Sequence, residues 1–193
     1  MKSTKAYFFY SLLFLFIAGN GYTQNIFVED KINNINKRVE KVDSLKELLY
    51  IVNVDGIIQS KKKLFLKRKI KGGFFEDYAF EKDRLVRIIS GLRLFTDSTN
   101  VIKLFVLDTC GYLCYYKETK FNELRIAKQD TIYSIEYYLD KGKLLFQKTE
   151  GKFPYNIEEH LNEVIKKLKD MEDFARRMIP YSNNGKEEIK SKQ

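Results

Sequence analysis

The sequence predicts an α+β fold. A mostly antiparallel meander of about six to eight strands carries an N-terminal and a C-terminal amphipathic helix packed together on one face. Three observations predict it. Two segments, Val28 to Tyr50 and Asn156 to Met178, each carry a single apolar stripe with spacings of three and four residues. Between them, from Lys61 to Lys152, aromatic and β-branched runs are punctuated by Asp, Gly and Asn. Proline is confined to Pro154 and Pro180, so little interrupts long strands.

Before the first helix comes a different kind of segment. Lys2 and Lys5 precede an apolar run from Ala6 to Ala18 that only Ser11 interrupts, and Gly19 to Gln24 follow as small and polar residues. Charge, apolar core and small exit in that order predict a secretory signal peptide over residues 1–24, cut between about 21 and 25. The run is too short for the ~20 residues of a bilayer-spanning helix. No Cys near the exit offers a lipid acceptor. The expected product is a periplasmic or secreted protein that is not an integral membrane protein after signal removal. The alternative is an uncleaved N-terminal anchor. Removing the signal takes away Lys2 and Lys5 and lowers the net charge from +9 to +7. That charge implies mild attraction to anionic partners, and export argues against nucleic acid as one of them.

The domain is expected over residues 25–180. Its first helix uses Val28, Ile32, Ile35, Val39, Val42, Leu45 and Leu49 as its stripe, and Asp55-Gly56 reads as a turn after it. Leu64 to Ile70 reads as the first strand and Gly72-Gly73 as the next turn. Three hairpins follow. Phe74 to Phe80 and Leu85 to Ile89 close around residues 81–84, Val101 to Leu107 and Leu113 to Lys120 around 108–111, and Thr131 to Leu139 and Lys143 to Thr149 around 140–142. Each hairpin runs from an apolar residue through an acid and a short turn to a leucine. The closing leucines Leu85, Leu113 and Leu144 are 28 and 31 residues apart, a spacing that suits a repeated hairpin unit or simply the similar turns that any antiparallel meander needs. The acid suits a turn, where its carboxylate accepts backbone N–H groups. The stretch Tyr137 to Leu144 resembles the aromatic-x-Gly-x-Leu hairpins of MORN-like repeats. The likeness covers about eight residues and implies no activity. Pro154 precedes the last helix, Asn156 is its expected N-cap, and Glu158 and Glu159 sit where the helix dipole favours acid. Pro180 is expected to stop it, leaving residues 181–193 as a flexible polar tail.

Cys110 and Cys114 are the only cysteines and form a candidate disulfide in an oxidising compartment. On a straight strand they would stand ~13 Å apart, beyond bridging reach, so a bridge requires a turn such as Gly111 offers. One C-x-x-x-C pair with a single distant His does not make a metal site. No nucleotide-binding, nucleophile-elbow or metalloprotease motif occurs, and no cofactor or catalytic residue is assigned.

Two clusters remain as candidate binding residues. Lys61, Lys62, Lys63, Lys67 and Lys69, with Arg68 and Lys71, place seven cations within eleven residues. They suit an anionic surface, or an edge strand guarded against edge pairing. Tyr115, Tyr116, Tyr137 and Tyr138 form two adjacent pairs whose members must point to opposite sheet faces. Exposed members would make a flat platform for a protein, peptide or glycan, whereas buried ones would be cross-strand core pairs. His160, the only histidine, is expected on the solvent side of the last helix.

The reading these residues support is an exported, non-enzymatic binding or interaction module. The alternatives are an accessory protein of the envelope surface that binds anionic surfaces through residues 61–71, and a hydrolase whose site the sequence does not display.

Overall fold

A computed structural model describes residues 27–45, 49–60, 69–122 and 130–190. The expected signal peptide over residues 1–24, Lys61, Lys62, Lys63 and Leu64 to Arg68, with Lys67 among them, lie outside the described residues. The fold is α+β. Helix α1 spans residues 27–44. Seven strands follow: β1 (Tyr50–Gln59), β2 (Ile70–Glu81), β3 (Arg84–Leu94), β4 (Thr99–Leu107), β5 (Leu113–Asn122), β6 (Asp130–Asp140) and β7 (Lys143–Gly151). Helix α2 (Ile157–Lys190) ends the described chain. The sheet order is β1-β2-β3-β4-β5-β6-β7, each strand antiparallel to its neighbours.

The three predicted hairpins form, and they share more than turn chemistry. Each slips register by one residue just beyond its turn. Ala79 pairs with Arg87 but Phe80 with Leu85, Val106 with Tyr115 but Leu107 with Leu113, and Tyr138 with Phe146 but Leu139 with Leu144. Val86, Cys114 and Leu145 are thus the extra residues of three bulges, and all three join one apolar cluster. The repeated unit is a hairpin with a bulge. Its turns use the predicted residues. Asp108 Oδ1 accepts from the amides of Cys110 (2.8 Å) and Tyr112 (2.9 Å). Lys141 and Gly142 both have positive φ, the two-residue turn that matches strand twist.

Each helix packs on one face of the sheet, and the two divide the faces between them. Ile35 and Val42 of α1 pack with Ala79, Val106, Tyr115 and Tyr138. Val164, Leu168, Met171 and Ala175 of α2 pack with Tyr78, Ile88, Phe105, Tyr116 and Tyr137, the side chains of the opposite face. The sequence-based arrangement of both helices side by side is therefore replaced by a sheet covered on both sides. The physical reason is consecutive apolar runs. Tyr78-Ala79-Phe80, Phe105-Val106-Leu107 and Tyr137-Tyr138-Leu139 send apolar groups both ways, so each face needs a cover. Full burial of side chains such as Val164, Leu168 and Met171 contributes about 1.5–3 kcal/mol each. Polar straps hold α1: Lys31 pairs with Asp140, Arg38 Nε donates to the Leu107 carbonyl (3.2 Å), and Asp43 pairs with buried Arg87 (2.8 Å).

Other boundaries differ from expectation. Helix α1 ends at residue 44, and Asp55-Gly56 and Gly72-Gly73 lie inside paired strands. Gly56 sits beneath the Phe74 ring, and a side chain on Gly72 would strike the Arg93 carbonyl, so close approach explains both glycines. Helix α2 runs through Pro180 to Lys190. Its start is as predicted: Asn156 Oδ1 accepts from the amides of Glu158 (3.0 Å) and Glu159 (3.2 Å).

Candidate functional site

The most polar region of the interior lies between the first half of α2 and the sheet. Its centre is Glu118 on β5, almost wholly buried. Tyr116, two residues earlier on the same strand, points the same way and donates its hydroxyl to Glu118 Oε2. Tyr133 on β6 donates to Oε1 at 2.7 Å. Lys103 on β4 pairs with Oε2 at 2.8 Å, and His160 Nε2 of α2 stands 3.4 Å from the same oxygen. Burial alone would raise the Glu118 pKa, but the contacts from His160, Lys103 and Tyr116 outweigh it and hold the carboxyl well below its ordinary 4.5. Burial and then the Glu118 charge raise the Tyr137 hydroxyl to about 12, and Tyr116 shifts upward for the same reasons.

His160 is buried at 5 % exposure, not turned to solvent. It lies three residues after Ile157 and four before Val164, which places it on the buried stripe of α2. Tyr137 and Nδ1 are 2.9 Å apart. An ionised Glu118 only accepts, so in the neutral ring Nε2 carries the proton and Nδ1 accepts from Tyr137. Phe153 meets the ring edge-on at 4.9 Å, and Tyr155 stacks over it at 5.7 Å.

Beside this network opens a pocket of about 380 Å³ lined by Lys103, Phe105, Tyr116, Tyr155, Val164 and Lys167, among others. Lys167 has no hydrogen-bond or ion-pair partner among the described residues. Its pKa is lowered, first by desolvation and then by the charge of Lys103. Lys167, like Glu163, Lys166 and Asp170, lines the pocket from an exposed position of α2. One side is thus aromatic and apolar, and the other carries the ammonium groups of Lys103, Lys166 and Lys167 beside the carboxylates of Glu163 and Asp170; Lys103 has the buried Glu118 as its counter-charge.

The candidate residues read from the sequence fall elsewhere. Lys69 is exposed and hydrogen-bonded through its backbone to Ser60. Tyr115 and Tyr138 are buried beneath α1 as an edge-to-face pair, 5.2 Å apart. Tyr116 and Tyr137 are fully buried beneath α2 as a stacked pair, 5.7 Å apart. The open tyrosine platform is thereby replaced by two cross-strand core pairs, one on each face. Cys110 and Cys114 are both free. Cys110 is exposed in the turn, while Cys114 is the bulge residue and turns its thiol to the Val106 carbonyl at 3.3 Å. Burial first, and the Asp108 charge after it, raise the Cys114 thiol to about 11. Among the described residues no group of His, Cys, Asp and Glu could hold a metal ion, and no helix is long and apolar enough to cross a membrane.

Glu118, Lys103 and Lys167 escaped the sequence reading. One signal for Glu118 was present: a Tyr and a Glu two apart on a strand share a face. The pattern occurs three times, in Glu76/Tyr78, Tyr116/Glu118 and Glu136/Tyr138, and each pair is hydrogen-bonded. No family model, curated protein or solved structure matches this chain.

Proposed function

We propose that the protein is an exported, non-enzymatic binding module that holds a small anionic ligand in the pocket between α2 and the sheet. The ammonium groups of Lys103 and Lys167 would take the anionic group, a carboxylate or phosphate. The exposed Tyr155 ring would take an apolar or aromatic body, with the buried Phe105 and Tyr116 packed behind the pocket wall. The observation that carries this reading is Lys167, exposed and without an ion-pair partner among the described residues, close enough to Lys103 to feel its charge: an anion between them would offset their mutual repulsion.

The polar groups nearby favour binding over catalysis. Glu118 already accepts from two phenols and two cationic or imidazole donors, which fill its acceptor sites. Both ring nitrogens of His160 are engaged, and its faces are packed by Phe153 and Tyr155. Neither group is free to take a proton from a substrate. Export rests on the N-terminal charge-apolar-small pattern.

Titration of the protein with sodium benzoate, inorganic phosphate and benzylamine, followed by two-dimensional NMR, tests the reading. Saturable shifts with an anion at residues around Lys103, Tyr155 and Lys167 are expected, with none from benzylamine. No saturable shift with either anion, or equal binding of benzylamine, would refute it.

A further inference from the structure

The hairpin turns of β2–β3, β4–β5 and β6–β7 lie at one end of the sheet, and α1 is strapped there through Asp140, Leu107 and Arg87. The opposite end of the same face is open among the described elements. Ile57, Phe75 and Ile102 project from it on β1, β2 and β4, each at least 40 % exposed. The register places them together: Ile57 pairs with Gly73, Phe75 with Gly91, and Gly91 with Ile102. The Phe75 ring covers Gly91, where any side chain would collide with it. A shallow apolar hollow of about 230 Å³ runs between Phe75, Ile102 and Phe121. Ile70 and Phe95 extend the exposed apolar surface at this end. Soluble monomers seldom leave so many large apolar side chains together without a use.

Charge stands around this surface. Lys69, Lys71 and Arg93 are exposed at the same end, with Arg93 over the Phe95 ring at 5.3 Å. Asp55, Asp97 and Asp130 are exposed acids near it. Aromatic and aliphatic groups flanked by Lys69, Lys71 and Arg93 match a lipid surface with anionic headgroups. There the apolar groups enter the headgroup boundary, and each nearby Lys or Arg contributes on the order of 1 kcal/mol.

We infer that this end of the sheet is a docking surface for an anionic lipid bilayer, with Phe75, Phe95 and Ile102 at the boundary and Lys69 and Lys71 on the headgroups. This surface is separate from the α2 pocket, so either proposal can fail without the other. The chain has no tryptophan, so Phe95→Trp places a single indole at the proposed contact. The full chain carrying that substitution is mixed with vesicles of one part phosphatidylglycerol to three parts phosphatidylcholine, and with phosphatidylcholine alone. A blue shift of the indole emission is expected only with the anionic vesicles. It should vanish at high salt and weaken at least tenfold when Lys69→Glu and Lys71→Glu are added. The apolar N-terminal segment is identical in every arm and leaves the indole reporting its own site. Unchanged emission with anionic vesicles would overturn the inference. So would equal shifts with both vesicles, or full binding after the Lys→Glu changes. A concentration-dependent dimer that Phe75→Ser dissociates would overturn it in favour of a second copy of the chain. Phe95 is exposed, so the reporter substitution leaves the fold intact, and circular dichroism of each variant checks this.

Discussion

Glu118 and Glu136 sit on neighbouring strands, point to opposite faces of the sheet, and have nearly the same companions. Each has a Tyr two residues away on its own strand and a Lys within 2.9 Å. The difference is the helix above. Over Glu118, α2 adds the His160 ring and leaves the side chain 3 % exposed. Glu136, on the α1 side, has no helix donor among its contacts and is 14 % exposed. The same strand pattern thus gives a sealed charge network on one face and a wetter pair on the other. A carboxylate becomes costly to disturb when a second layer completes its shell, because its partners then lose access to water.

The largest effect should follow from removing the sealed carboxylate. Glu118→Ala leaves Lys103, His160, Tyr116 and Tyr133 without their common acceptor, and should cost about 3–5 kcal/mol in urea unfolding. Glu136→Ala, with Lys117 able to reach solvent, should cost only about 1 kcal/mol. Equal losses would break the comparison.

Acid should separate the two faces next. Glu118 has its folded pKa well below its unfolded value of 4.5. As pH falls, the unfolded chain takes up that proton first, so stability rises with pH in this range. The contribution is complete above about pH 5.5 and drains away as pH falls through 4.5 toward the lowered folded value. Glu118→Gln should flatten the plot of unfolding midpoint against pH between 5 and 2. Glu136→Gln, which removes a carboxyl whose own pKa is also lowered, should flatten it less.

The smallest effects concern the thiols, which report on the cover that α1 provides. Cys114→Ser places a hydroxyl in the cluster beneath α1 and should cost about 1–3 kcal/mol. Cys110→Ser should stay within about 0.5 kcal/mol. In the native protein Cys110 should react with a disulfide reagent at once and Cys114 only on unfolding. Fast reaction of both would mean that α1 lifts readily.

Much of the fold was legible because turn chemistry and stripe spacing are local. Asp108, Lys141-Gly142 and Asn156 act as their identities suggest. What stayed hidden was pairwise. Gly72-Gly73 looks like a turn until its strand neighbour Arg93 is seen to need the space. Two helix stripes do not say which face each covers, although the consecutive apolar residues Tyr137, Tyr138 and Leu139 signal two covers. His160 was misjudged because its neighbours Glu158 and Glu159 suggest an exposed turn, while its spacing from Val164 places it inside. Lys103 and Lys167 are 64 residues apart in the chain, and only the packing of α2 on β4 brings them to one pocket.

That pocket carries the central claim, and Lys167 is its cleanest probe because it takes no part in the buried network. The direct measurement is the dissociation constant of the tightest anion from the benzoate and phosphate titrations, for the natural chain and for Lys167→Gln at the same ionic strength. We predict at least tenfold weaker binding with unchanged unfolding stability. Equal affinity for the two proteins would contradict an anion held between Lys103 and Lys167.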